Sequence, residues 1–399
     1  MINVENLNLE IIRQWIQKHK PIELLQEAIQ CDSVNPPGNV MDFVKIIQRT
    51  LYYYGIETEI YRSNLEKANI VAKVKGKHKG KRLIFSGHLD TVPIGEKTWD
   101  HSPFSGHIEN GKIYGRGSSD MKSGLVAFIY AMIFLKSTQA LSTGELVFIA
   151  TFDEETGSLG AQQMIKEEQI NEFDAMIIGE PTDNEIVTSH KGALWVKVDS
   201  FGKTAHGSMP ESGVNAINGM KSFIDDISGI SLFKDNIDQD ILTKSTMAVT
   251  MIEGGSNYNV IPDYCTSTID FRTTPDKKNS DILNALHTYI SNTSKKEDTP
   301  HISIKPIVNL APLNTLDNTE IVKVTKDTFF EIYNINKITK RMNYFTDGSV
   351  FSSISRNIII LGPGEPSQAH QPNEYVNIKK FNQSIELYIS IAKNYLKSS

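Results

Sequence analysis

Four apolar runs in this chain each give way, at their carboxyl ends, to a residue able to hold a metal ion. Leu83-Ile84-Phe85 leads into Ser86-Gly87-His88-Leu89-Asp90, and the run 146–152 leads into Asp153-Glu154-Glu155. The run 175–178 leads into Gly179-Glu180-Pro181, and 358–361 leads into a Gly/Pro loop that reaches His370. In an open α/β sheet, ligands bind in the crevice beyond the carboxyl ends of the strands. Strands that deliver His and Glu to one edge therefore predict an α/β fold with a metal site along that edge.

The rest of the chain is consistent with such a sheet. Leu, Ile and Val recur at helical spacing over 21–30 and 40–54, on either side of a loop at 33–39 stiffened by Pro and Gly. Residues 70–74 alternate as a strand, and the Lys-rich stretch 75–81 that follows predicts a solvated hairpin tip. Asp120-Met121-Lys122-Ser123-Gly124 opens an apolar helix through Phe134, and 161–169 predicts another helix. Alternating β and α elements with short links predict a mostly parallel sheet covered on both faces. After Lys191-Gly192 the character changes. A strand at 193–198, a helix at 215–230, strands at 246–252 and 265–272 and a helix at 281–291 predict a small inserted α+β domain, ferredoxin-like in order. Residues 294–299 read as its exit linker. The expected boundaries are 1–192 with 308–399 for the catalytic domain and 193–307 for the insert. The larger domain resumes with a helix over 316–333, the strand at 358 and a final helix from 377.

Composition excludes several classes of partner. The formal net charge of −6 gives no reason to expect nucleic acid or anionic lipid. No stretch of about 18 apolar residues occurs, so no membrane span is expected, and the apolar stretch 125–135 reads as a core helix. Residues 1–20 carry no basic segment followed by an apolar one, which leaves the cytoplasm as the expected compartment. Two cysteines far apart, Cys31 and Cys265, read as free thiols of a reducing compartment.

Hard and borderline divalent cations take imidazole nitrogen and carboxylate oxygen. A pair of such ions about 3.5–4 Å apart clamps a bridging hydroxide and polarises a carbonyl. That chemistry needs a bridging carboxylate, terminal ligands for each ion and a separate base. His88 and Glu180 are candidates for one ion, Glu155 and His370 for the other, and Asp120 for the bridge. Asp90, two residues beyond His88, is placed to hold the second ring nitrogen of that histidine. Adjacent residues on an extended segment point different ways, so Glu155 can ligate while Glu154 faces substrate as the general base. Taken singly, each residue has a plainer use: an Asp before a helix is usually a cap, and a Glu pair after a strand is usually solvated. Their coincidence at strand and helix ends outweighs those uses. Gly115-Arg116-Gly117-Ser118-Ser119-Asp120 lacks the spacing of a phosphate-binding loop.

These segments resemble the M20 family of metallopeptidases and amidohydrolases. The resemblance rests on 33–38, on Ser86-Gly87-His88-Leu89-Asp90-Thr91-Val92-Pro93, and on Gly115-Arg116-Gly117-Ser118-Ser119-Asp120-Met121-Lys122. It continues through Asp153-Glu154-Glu155-Thr156-Gly157, Gly179-Glu180-Pro181-Thr182 and Ala369-His370-Gln371-Pro372-Asn373-Glu374. Within the family the chain resembles the acetylornithine deacetylase and succinyl-diaminopimelate desuccinylase branch, where a Glu at the position of Glu180 is typical. The resemblance implies two Zn2+ per subunit, with Co2+ as a possible substitute, and an inserted lid that pairs two subunits into a homodimer. It implies that His206 steadies a tetrahedral oxyanion and that Asn259 and Arg272 contact substrate. Read without it, Arg272 is an ion-paired residue on a sheet face. The implied activity is hydrolysis of the N-acyl amide of a small amino-acid derivative, in lysine or arginine biosynthesis. A dipeptidase or aminoacylase on the same scaffold is the nearest alternative, and a non-catalytic peptide-binding relative a distant one.

Overall fold

A computed structural model of the 399-residue chain describes residues 8–229, 244–293 and 299–397. The chain divides into two compact units. The larger comprises Met1–Thr188, Asn314–Lys340 and Thr346–Ser399, and the smaller comprises Ser189–Leu313 and Arg341–Phe345.

The larger unit is built on a mixed sheet. Its strands lie in the order Thr58–Arg62, Ala68–Lys75, Thr143–Thr151, His78–His88, Ala175–Ile178, Ile358–Ile360 and Ile186–His190. The four middle strands of that order, from Thr143–Thr151 to Ile358–Ile360, run parallel. They are the four apolar runs of the sequence. Their side chains are buried on both faces, which explains the lack of alternation in these runs.

One expectation fails here. Residues 75–81 do not form a hairpin tip, because the strands on either side of them are not neighbours. Thr143–Thr151 lies between the two, antiparallel to Ala68–Lys75 and parallel to His78–His88. The nearly all-apolar 146–150 run takes a central place that the amphipathic 70–74 strand could not fill as well.

The helix Lys122–Thr138 is buried around almost its whole circumference, as its apolar sequence requires. It packs against the parallel strands and against the helices Pro21–Gln30, Met41–Tyr53 and Ile378–Lys397. Its approach to the sheet is set by Gly124. A Cβ there would lie 2.1 Å from the carbonyl oxygen of Gly179, at the end of the Ala175–Ile178 strand. The close approach brings the start of the helix, with Asp120, down beside Glu180. Among the described residues no helix is long and apolar enough to cross a membrane.

The smaller unit has a four-stranded antiparallel sheet in the order His301–Leu310, Gly192–Phe201, Tyr264–Thr273, Thr246–Gly254. With helices Ala216–Ser228 and Asn279–Thr293 this is the ferredoxin-like arrangement, strand 4 beside 1, then 3, then 2. Alternate residues of Tyr264–Thr273 are buried, and Ile269 and Phe271 join Leu194, Val196 and Phe223 in a separate core. Residues 294–298 of the expected exit linker lie outside the described residues. Thr246–Gly254 is an edge strand, exposed along nearly all its length.

Candidate metal centre

His88 is the last residue of its strand and is buried. Its Nδ1 lies 2.9 Å from the backbone carbonyl of Asp90. A carbonyl only accepts, so Nδ1 carries the hydrogen and the lone pair of the neutral ring sits on Nε2. That nitrogen faces two further acceptors, Asp120 Oδ1 at 3.1 Å and Glu180 Oε1 at 3.5 Å. Lone pairs converging in this way require a positive charge among them, a proton or a cation. Asp120 Oδ2 faces the other histidine, 3.4 Å from His370 Nε2, and Glu155 Oε2 lies 3.3 Å from the same nitrogen. Asp120 thus presents one oxygen to each imidazole. His88 and Glu180 lie on one side of it, and His370 and Glu155 on the other.

The electrostatics follow from burial. With carboxylates packed around it, the buried His88 imidazole titrates well above its usual range, despite desolvation, because Glu180 and Asp120 favour the charged ring. His370 is pushed up to about 10 by hydrogen bonds to Asp120 and Glu155. Burial lifts Glu180 to about 8 and outweighs the opposing pull of His88. Burial also raises Glu154 well above the carboxylate range and raises Glu155. Asp120 is held low, because its bonds to His370 and His88 exceed its own desolvation cost. The site therefore collects protons where a cation would otherwise serve.

The donor set fits divalent cations on a second count. Glu154 Oε1, Glu155 Oε1 and Asp347 Oδ1 are buried without a hydrogen-bond partner. Unpaired buried carboxylate oxygens are expensive, and bound ions with their water would meet them. The ligand atoms of His88, Asp120 and Glu155 lie within 4.8 Å of one another, as do those of His88, Glu154 and Glu180.

Two expectations need adjustment. Asp90 sits beside His88, but its backbone oxygen rather than its carboxylate makes the close contact, the carboxylate being 3.7 Å away. The carboxylate instead accepts from the N–H groups of Glu154 and Glu155 and from Asn35 Nδ2. Glu154 and Glu155 are not on an extended segment. Asp153 adopts a left-handed conformation (φ 56°), and the chain turns at once, with Gly157 and Ser158 N–H donating to the Glu154 carbonyl. The turn separates the two carboxylates in place of strand alternation.

The model of peptidase family M20/M25/M40 matches residues 84–394. The chain belongs to this family. It is 28% identical, over 94% of its length, to a probable succinyl-diaminopimelate desuccinylase of Staphylococcus aureus (strain MSSA476), covering 97% of that protein. Among solved structures it resembles the M20 family metallo-carboxypeptidase Sso-CP2 from Sulfolobus solfataricus, with TM-score 0.78 and 21% identity. The match covers 94% of this chain and 99% of that one. It also resembles the Bacillus subtilis YXEP protein, a dinuclear metal-binding peptidase of the M20 family, with TM-score 0.71 and 15% identity, over 96% and 99% of the two chains.

Three residues in this M20 chain support the centre without having been singled out as site residues. Glu374 is fully buried and accepts from Arg116 Nη1 at 2.7 Å and from the N–H groups of Gly117, Ser119 and Asp120. It fixes the backbone that presents Asp120. Asn35 ties Asp90 to Asp153 with 2.8 Å bonds to each. Asp347 accepts from Thr151 Oγ1 at 2.5 Å, and its charge acts on Glu154. Glu374 ends the 369–374 motif and Asn35 lies in the Pro/Gly loop at 33–39. Their partners, however, are 55 to 258 residues away in sequence, a separation no local pattern reveals.

In the smaller unit, His206 is exposed on the short strand Ala205–His206, with Nδ1 2.7 Å from Ser208 Oγ. That strand pairs with Val260–Ile261, and the Asn259 carbonyl accepts from Gly207 N–H, so His206 and Asn259 are neighbours. Arg272 is ion-paired with Asp270, Nε to Oδ1 3.0 Å, on one face of its strand, and lies over the Phe345 ring.

Proposed function

We propose that this chain is a metal-dependent hydrolase of the N-acyl amide bond of a small amino-acid derivative. Succinyl-diaminopimelate is the first candidate substrate and acetylornithine the second. The observation that carries the reading is Asp120, whose two carboxylate oxygens face His88 and His370 separately, with the buried carboxyl of Glu154 alongside. The similarity to the probable desuccinylase of S. aureus supports the choice of acyl group.

In this reading His88 and Glu180 would hold one ion and His370 and Glu155 the other, with Asp120 shared between them. Zn2+ fits the donor set, with Co2+ as a substitute. A pair of such ions supplies a Lewis acid for the carbonyl and acidifies a water. The chain's own residues do the remaining work. Glu154, desolvated and one residue from a ligand, takes the proton from the attacking water and returns it to the leaving amine. Asp90 orients the Glu154–Glu155 turn through its two N–H contacts. His206 donates to the oxyanion, an electrostatic contribution of about 3 kcal/mol. Asn259 and Arg272 hold the substrate, Arg272 through its suitability for a carboxylate.

We also propose that the smaller unit pairs two subunits. Its strand Thr246–Gly254 exposes Met251 and Ile252, 68% and 59% accessible, and among the described residues pairs on one side only. Free thiols at Cys31 and Cys265 support a cytoplasmic setting.

The test is a panel of succinyl-diaminopimelate, acetylornithine and a set of dipeptides, offered to the zinc-loaded protein. Glu154→Gln should keep its metal and fold while kcat falls by about 10²–10⁴-fold. Near-normal turnover in that variant removes Glu154 from the base role, and cleavage of dipeptides alone replaces the deacylase reading with a peptidase one.

A further inference from the structure

A second constellation of metal-ligand type lies in the larger unit, outside the centre described above. His107 and Glu109 are two residues apart on the strand His107–Glu109, so both side chains project from the same face. His101, from the preceding loop, joins them. Its Nε2 is 3.6 Å from Glu109 Oε2, and its ring is stacked on that of His107 at 4.0 Å between centroids. The ligand atoms of the three residues lie within 4.8 Å of one another. Lys112, opposite Glu109 in the strand register, does not take up the carboxylate. It lies over the Tyr375 ring instead, 3.6 Å from the centroid.

We propose that His101, His107 and Glu109 form a surface site for one borderline divalent cation of the Zn2+ type, separate from the buried centre. Two imidazoles and one carboxylate are the donor set such ions take in preference to Mg2+ or Ca2+. Three protein ligands leave coordination positions for water. The strand fixes the backbone of two donors, and the third, His101, is partly exposed, with its ring between those of His107 and Tyr114, so modest side-chain rotations would bring all three to about 2.0–2.2 Å from one ion.

The place of the site in the fold gives it a consequence. Asp100, next to His101, donates its N–H to Asn373 Oδ1 at 2.7 Å and accepts from Asn373 Nδ2 at 2.9 Å. Pro103 accepts from the N–H of Arg116 at 2.8 Å. An ion on His101 and His107 would pin this loop to the strand, and with it the segment that carries His370. The surface site does not depend on what the buried centre hydrolyses.

The experiment titrates the metal-free, full-length protein with Zn2+, reading bound equivalents by dialysis and elemental analysis, in wild type, His107→Gln and Glu109→Gln. The wild type is expected to hold one equivalent more than His107→Gln, and Glu109→Gln to bind that equivalent about tenfold or more weaker. Because the site is read as a difference, the number of ions in the buried centre does not affect the result. Hydrogen exchange at 99–107 should slow when the extra equivalent binds in wild type and stay unchanged in His107→Gln. Equal stoichiometry in wild type and His107→Gln overturns the site, and so does an extra equivalent that leaves exchange at 99–107 unaltered.

Discussion

The two halves of the candidate centre are built differently. His88 and Glu180 stand at the ends of neighbouring parallel strands, are almost completely buried, and are packed beneath an apolar helix. His370 comes from a loop, takes a left-handed backbone conformation (φ 63°), and has a side chain 52% exposed. The first half is set by the core. The second is completed by a segment that owes its position to a few hydrogen bonds. If it holds two ions as proposed, a site divided in this way would give one a rigid cage and the other an adjustable one.

Several measurements would sharpen that contrast or break it. The largest expected effect is on the rigid side. Removing the His88 imidazole leaves Glu180 buried without its partner and Asp120 with His370 alone, and His88→Ala should lower the unfolding free energy of the metal-free protein by about 3–5 kcal/mol. His370→Ala, at a half-exposed position, should cost below about 1 kcal/mol. Urea denaturation of the two variants side by side checks this, and equal losses would dissolve the distinction.

Gly124→Ala tests how the rigid half is held. The added methyl meets the Gly179 carbonyl, so the helix must shift, at about 1–3 kcal/mol. The ion beside Glu180 should weaken before the one beside His370, a difference visible in the two steps of a Co2+ titration.

The smallest effect is a proton count. Without metal, His370 titrates near 10 and Glu180 near 8, so at pH 7 both hold protons that a cation must expel. Metal binding at pH 7 should release at least one proton, and apparent affinity should climb with pH through 8 and towards 10. Calorimetry in two buffers of different ionisation heat reads the release directly. Affinity that is flat across that range would mean the cluster is not protonated as its packing implies.

Much of the larger unit's plan was legible because its strands are short apolar runs that stop abruptly at His88, Glu154 or Glu180, and a strand end in a parallel sheet is a place as well as a boundary. The structure brings His88, Asp120, Glu155, Glu180 and His370 into one cluster. What escaped local reading was anything decided by a distant partner. The order of strands around 75–81 depended on a third strand more than sixty residues on. The turn at Asp153 depended on Asn35 and Lys67, which both bond its carboxylate. Glu374 stands in the motif that ends the family resemblance, but its role comes from Arg116 and three amide groups far away in sequence.

That last carboxylate has a consequence for biosynthesis. The backbone presenting Asp120 is held from position 374, and one of the two imidazoles comes from position 370. A growing polypeptide could therefore have made every strand up to Ile358–Ile360 and still lack His370 and Glu374. If the cluster holds two ions as proposed, competence to capture the second would arrive only after translation has passed residue 374.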